Sequence, residues 1–165
     1  MMEKEALLVV NELWAKLSAG EKFIVYGAAA VVVGWIVGLI LGSVNECAGY
    51  NAPGLVCPSV NYFSWSTAGL TAILALVLAI AAVVVLYLKL APNLNITWPM
   101  PVAQVLLGVC ALGGLLAVIT ALLNVTNGLP SPPIGMYIAD ILLVAGGAVM
   151  AWFAYQGYVA SKPAV

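Results

Sequence analysis

The chain has no histidine and no arginine, and charged residues of any kind fill only 7% of its 165 positions. Each gap removes a class of function. Without histidine there is no His-ligated haem, no usual axial ligand for bacteriochlorophyll and no imidazole base. No group of cysteine, aspartate and glutamate has the spacing of metal ligands. No glycine-rich loop ends in Lys-Ser or Lys-Thr to cradle a phosphate. Five scattered lysines at a net charge of −1 offer a nucleic-acid backbone nothing to bind. The expectation is therefore a protein that is not an enzyme and that holds no cofactor or metal through signature residues. Lipid, quinone and carotenoid contacts need no such signature and stay open.

What fills the chain instead is apolar. Hydrophobic residues make up 65% of it and the mean hydropathy is +1.15, whereas a soluble domain carries about 25% charged residues. So few charges require lipid, or another membrane protein, as the solvent. Four stretches, Phe23–Leu41, Thr67–Leu88, Val102–Leu123 and Ile134–Tyr155, come close to the roughly 20 apolar residues that a spanning helix needs. None contains a lysine. Helices are required because lipid has no partner for an unpaired backbone group, and the alternating polarity of barrel strands is absent. The expected fold is all-α, an integral membrane four-helix bundle over residues 18–165.

The lysines set its orientation. Lys4, Lys16 and Lys22 precede the first span, Lys89 ends the second and Lys162 follows the fourth. With four spans all of them fall on one side, which the positive-inside rule makes cytoplasmic, and both termini go with them. The outer connections, about 42–66 and 124–133, carry Glu46 as their single charge. Tyr62, Phe63 and Trp65 suit an outer aromatic belt; Tyr87, Trp98, Trp152 and Tyr155 suit an inner one. Residues 1–17 do not read as a signal peptide, because Glu3, Glu5 and Glu12 interrupt the apolar run. Leu7, Val10, Leu13, Trp14 and Leu17 recur at helical spacing, which predicts a short amphipathic helix on the inner surface; a frayed tail is the plainer alternative. Ser18 followed by Glu21 predicts a capping box at the entry to the first span.

Several motifs then ask for partners. Ala30, Gly34, Gly38 and Gly42 form consecutive GxxxG units, a surface on which another helix can approach closely. Looser small-residue stripes run through Ala68, Ala72, Ala75, Ala79 and Ala82, through Gly113, Ala117 and Ala121, and through Gly147, Ala151 and Ala154. Either all four stripes close one bundle, or the first faces a neighbouring subunit. Asp140 is the single acid within a span, where a charge costs a few kcal/mol or more. It is either a structural hydrogen-bonding group or an ion or proton handler, and Ser64, Ser66, Thr67, Asn124 and Thr126 are its nearest polar company. Cys47 and Cys57 share the outer loop with an intervening Gly and Pro, so a disulfide is expected in an oxidising compartment, with two free thiols as the alternative. Cys110 reads as an inert small residue in mid-span. The sequons at Asn95 and Asn124 read as turn and helix-end chemistry, since the first lies on the inner side and the second hugs the membrane.

With Ser18-Ala-Gly-Glu-Lys22 leading into a Gly/Ala-rich first span, Gly135-Met-Tyr137 opening the fourth and the Gly146-Gly147 pair within it, the chain resembles small four-span membrane proteins of bacteria. That resemblance implies no particular activity. Four-helix quinone-linked disulfide oxidases do not fit, for want of a Cys-x-x-Cys pair. Claudin-like tetraspans do not fit either, for want of their Trp-Gly-Leu-Trp pattern, and small multidrug transporters carry their acid in the first span. The expected role is a non-catalytic structural or accessory subunit of a larger assembly in the bacterial cytoplasmic membrane. Its partners would be other membrane subunits or copies of itself. The alternative is a small homo-oligomeric transporter or channel using Asp140.

Overall fold

Ser18 starts the first long helix. Its backbone is extended (φ −64°, ψ 161°), its Oγ accepts the Glu21 amide at 3.3 Å, and the Glu21 carboxylate accepts the Ser18 amide at 2.8 Å. Two of the amides that every helix start leaves unpaired are satisfied in this reciprocal way. The computed structural model describes residues 11–45, 59–61, 66–91, 98–126 and 133–162. Within them residues 11–16 are helical (α1), and four long helices follow: α2 (Ala19–Leu41), α3 (Thr67–Leu90), α4 (Val102–Thr126) and α5 (Ile134–Ala160). All four are long and apolar enough to cross a membrane, and the chain is a multi-pass, all-α membrane protein.

The helices stand in a ring, α2 beside α3, α3 beside α4, α4 beside α5, and α5 closing back on α2; the diagonal pairs barely meet. Neighbouring helices run antiparallel: Glu21 at the start of α2 meets Lys89 at the end of α3, Gly113 and Thr120 of α4 meet Leu78 and Thr71 of α3, and Gly27 and Gly34 of α2 meet Gly146 and Ala139 of α5. The start of α2 and the ends of α3 and α5 therefore share one end of the bundle. At that end Glu21 takes an ion pair from Lys89, and Phe23 stacks on Phe153 with ring centroids 4.5 Å apart. Lys16, Lys22, Lys89 and Lys162 all lie there.

Many inward positions are small, with Ile24, Leu86, Met136, Leu143 and Met150 filling the core between them, and many large aliphatic side chains face outward. Ala68, Ala72, Ala75, Ala79 and Ala82 of α3 are at most 1% exposed, whereas Ile40, Val125 and Ile134 are 69% to 78% exposed. Lipid gives Leu and Ile no reason to hide, so close backbone approach and dispersion set the packing instead. The closest approach joins α2 to α5. A β-carbon on Gly27 would stand 2.7 Å from the Gly146 carbonyl oxygen, and one on Gly146 would stand 2.5 Å from that of Gly27. Gly114 and Gly147 make the corresponding contact between α4 and α5.

Of the two readings of the Ala30–Gly42 stripe, the structure favours the one in which it faces the chain's own bundle. Gly34, Gly38 and Gly42 are buried, and Gly34 abuts Ala139, Leu142 and Leu143 of α5 within the same chain. Ala30 is only half-buried. A strict four-residue repeat drifts about 40° per step around a helix of 3.6 residues per turn. The buried positions Gly27, Val31, Gly34 and Gly38 alternate steps of four and three, which holds one face toward a neighbour. This stripe closes the chain's own bundle, and its glycines are not left open for another subunit.

A two-stranded antiparallel ribbon, β1 (Ser43–Asn45) with β2 (Ser59–Asn61), follows α2, with Ser43 opposite Asn61 and Asn45 opposite Ser59. The repeated Ser-Val-Asn tripeptide marks both strands. Cys47, Cys57, Glu46, the outer belt of Tyr62, Phe63 and Trp65, Ser64, Asn95, Lys4 and the first ten residues lie outside the described residues.

Candidate functional site

Polar side chains inside the spans gather toward the end of the bundle opposite the lysines. Asn124 lies one half-turn before the end of α4, and Asp140 lies nearly two turns into α5. Antiparallel packing brings them level. Asn124 Nδ2 donates to Asp140 Oδ1 at 2.8 Å, and the two residues are 2% and 7% exposed. One α4 turn deeper, Thr120 is fully buried, and its Oγ1 meets Thr71 Oγ1 of α3 at 2.8 Å. Thr71 is also placed to donate to the Ala68 carbonyl, and Thr120 to that of Leu116, both at 2.9 Å. Each hydroxyl has one proton. Whichever threonine gives its proton across the pair, the other keeps its own helix carbonyl as acceptor, so neither is left a stranded donor.

Two interhelical clamps result, α4 to α5 through Asn124–Asp140 and α3 to α4 through Thr71–Thr120. Such bonds contribute about 0.6 kcal/mol on average between membrane helices and at most about 1.7. Placing an aspartate at a helix centre costs about 2.5–3.5 kcal/mol on insertion scales. One bond from Asn124 offsets only part of that cost, and Asp140's position nearer the helix end than its centre lowers the rest. Two buried polar atoms have no hydrogen-bond partner among the described residues, Asn124 Oδ1 in this site and Trp35 Nε1 of α2.

Of the polar company expected for Asp140, the structure brings in Asn124. Thr126 bonds back to the Leu122 carbonyl of its own helix at 2.9 Å, and Ser66 caps α3 by accepting from the Gly69 amide at 3.0 Å. Thr71 and Thr120 were not anticipated, although they are hydroxyls in otherwise apolar spans at matching depth, which is the signal that would have found them. Asn124 is buried and engaged, so its sequon is helix-end chemistry. Cys110 is fully buried in the core. Among the described residues no three of His, Cys, Asp and Glu come together as a metal site needs.

A second polar locus lies at the lysine end. There the Glu21 carboxylate joins the capped start of α2 to Lys89 in the last turn of α3. Beside it a cavity of about 400 Å³ opens between the helix ends, with Ile24, Leu106 and Phe153 in its apolar wall. It combines the Glu21–Lys89 ion pair and the polar side chains of Ser18, Gln156 and Ser161 with hydrocarbon. No family model, curated protein or solved structure matches the chain.

Proposed function

We propose that the chain is a non-catalytic structural or accessory subunit of a larger membrane assembly, in a bacterial cytoplasmic membrane with both termini on the cytoplasmic side. The observation that carries this is the state of Asp140. Asp140 is buried in packed protein and held by Asn124; among the described residues no second carboxylate stands beside it, and the sequence has no histidine to take a proton from it. What the bundle presents outward is aliphatic and aromatic: Ile141 and Trp152 of α5, Leu112 and Leu115 of α4, Val33 and Ile36 of α2. Because the glycine faces are consumed inside the chain, a partner helix would pack on these larger side chains.

The alternative, a small homo-oligomeric transporter or channel, rests on one observation: the unpartnered Asn124 Oδ1 beside Asp140 is an open acceptor that a passing cation or proton donor could use. Native mass spectrometry of the protein gently released from its own membrane separates the two. Co-release with different polypeptides in a fixed ratio is the expected result. A pure homo-oligomer or a lone chain would overturn the subunit role.

A further inference from the structure

The seam between α2 and α3 is the loosest of the four in the ring. Two hollows of about 160 and 260 Å³ open along it, and both are lined by Val25 and Val83, so they form one groove. Every residue lining the deeper hollow is Ala, Val or Ile. The shallower one ends at Trp14 and Leu90, at the lysine end. From Leu90 to Ala79 the groove follows α3 for about 16 Å at 1.5 Å per residue. That is about half of a ~30 Å hydrocarbon core, the depth of one leaflet.

The mouth of the groove is cationic. Lys22 Nζ stands 5.7 Å from the centroid of the Trp14 ring, and Trp14 in turn packs edge-on against Tyr26 at 5.5 Å. Lys89, beside Leu90, is neutralised by Glu21, while Lys22 makes no ion pair among the described residues. Tryptophan, tyrosine and lysine together mark headgroup level.

We infer that this groove holds one acyl chain of an anionic phospholipid from the leaflet on the lysine side, with the lipid phosphate beside Lys22. The length matches one leaflet, the lining matches a hydrocarbon chain, and the Lys22 ammonium at the mouth, which has no ion pair among the described residues, matches an anion. A helix is too large an occupant. A cylinder about 10 Å across and 16 Å long displaces on the order of 1,200 Å³, several times the space available. This inference stands apart from the subunit proposal, since a lipid in the groove is compatible with either oligomeric outcome.

The test uses the full chain in nanodiscs of equal phosphatidylglycerol and phosphatidylcholine, released into a native mass spectrometer. One retained phospholipid per chain is expected, with phosphatidylglycerol favoured about fivefold, the worth of one lysine at an anionic surface. Lys22→Gln should bring the ratio near one while leaving a lipid bound. Ala29→Phe and Val84→Phe each fill the groove from its exposed rim and should abolish retention with the helical dichroism unchanged. If one of these two loses its dichroism, the other and Lys22→Gln decide. Equal retention of both lipids by the wild type, retention that survives both phenylalanines, or a doubled mass without lipid would each overturn the inference.

Discussion

Replacing Gly146 with alanine puts a β-carbon 2.5 Å from the Gly27 carbonyl oxygen and 3.0 Å from both the Val31 amide nitrogen and its Cγ2. Ordinary contact begins near 3.4 Å, so α5 has to withdraw from α2 by about 0.9 Å. Neither obstacle can swing away, because the carbonyl and the amide belong to the α2 backbone and are fixed by its hydrogen bonds. Overpacking of this kind costs about 1–3 kcal/mol. Alanine returns about 0.5–1 kcal/mol through better helix propensity than glycine, so the net loss is centred on about 1 kcal/mol. Gly108 and Gly157 are internal controls, since a β-carbon at either meets nothing within 4 Å. Gly108→Ala and Gly157→Ala should be neutral or stabilising by about 0.5–1 kcal/mol. The double variant Gly27→Ala/Gly146→Ala should lose less than the sum of its parts, because the first substitution already separates the helices and the two share one contact. Unfolding in mixed micelles titrated with SDS, followed by circular dichroism, reads these four variants and the single Gly27→Ala that the sum requires. If Gly146→Ala unfolds at or above the wild-type midpoint, or tracks Gly108→Ala, the close seating of α2 on α5 is wrong.

Three further outcomes follow from the clamps and caps. A double-mutant cycle on Thr71→Val and Thr120→Val should show a coupling of about 0.6 kcal/mol in the same unfolding assay, and a coupling of zero would remove the α3–α4 clamp. Ser18→Ala should cost about 1 kcal/mol through the lost cap. Glu21→Gln keeps the capping geometry and loses only a half-exposed ion pair, so it should cost under about 1 kcal/mol; a larger loss than Ser18→Ala would reverse that ranking. Asn45 pairs with Ser59 in the ribbon, and Cys47 lies two positions after Asn45 while Cys57 lies two positions before Ser59. Intact mass after alkylation without reductant should show one modified thiol per unfolded chain, that of Cys110; three modified thiols would rule out the bridge.

The long helices were largely legible in the sequence, because hydropathy and local stop signals agree. Thr67, Val102 and Ile134 are both predicted and observed starts; Ser66 precedes the first of them, Pro101 and Pro133 the others. The ends are less legible. Hydropathy stops at Leu88, Leu123 and Tyr155, while the helices run on to Leu90, Thr126 and Ala160. Apolar content marks where hydrocarbon ends, whereas backbone bonding continues until something breaks it. The direction of the glycine face was only partly legible, since the four-residue repeat from Ala30 to Gly42 overlaps the true heptad seam at Gly34 and Gly38 without coinciding with it. Within the site, Asp140 was conspicuous as the lone acid. Its partner could be narrowed to a few polar residues, but the choice of Asn124 needed the relative depth of α4 and α5. The Lys89–Glu21 link depends in the same way on two helix ends meeting across 68 positions of sequence, and no local pattern records that.

The most direct test of a structural rather than a transporting bundle is cation and proton flux into proteoliposomes, comparing the wild type with Asp140→Asn. Asparagine at 140 can still hydrogen-bond with the Asn124 amide, so the fold should persist. The predicted result is the same background flux for both proteins. A wild-type flux that Asp140→Asn abolishes, in a variant with unchanged stability, would contradict the account and make Asp140 part of an ion path.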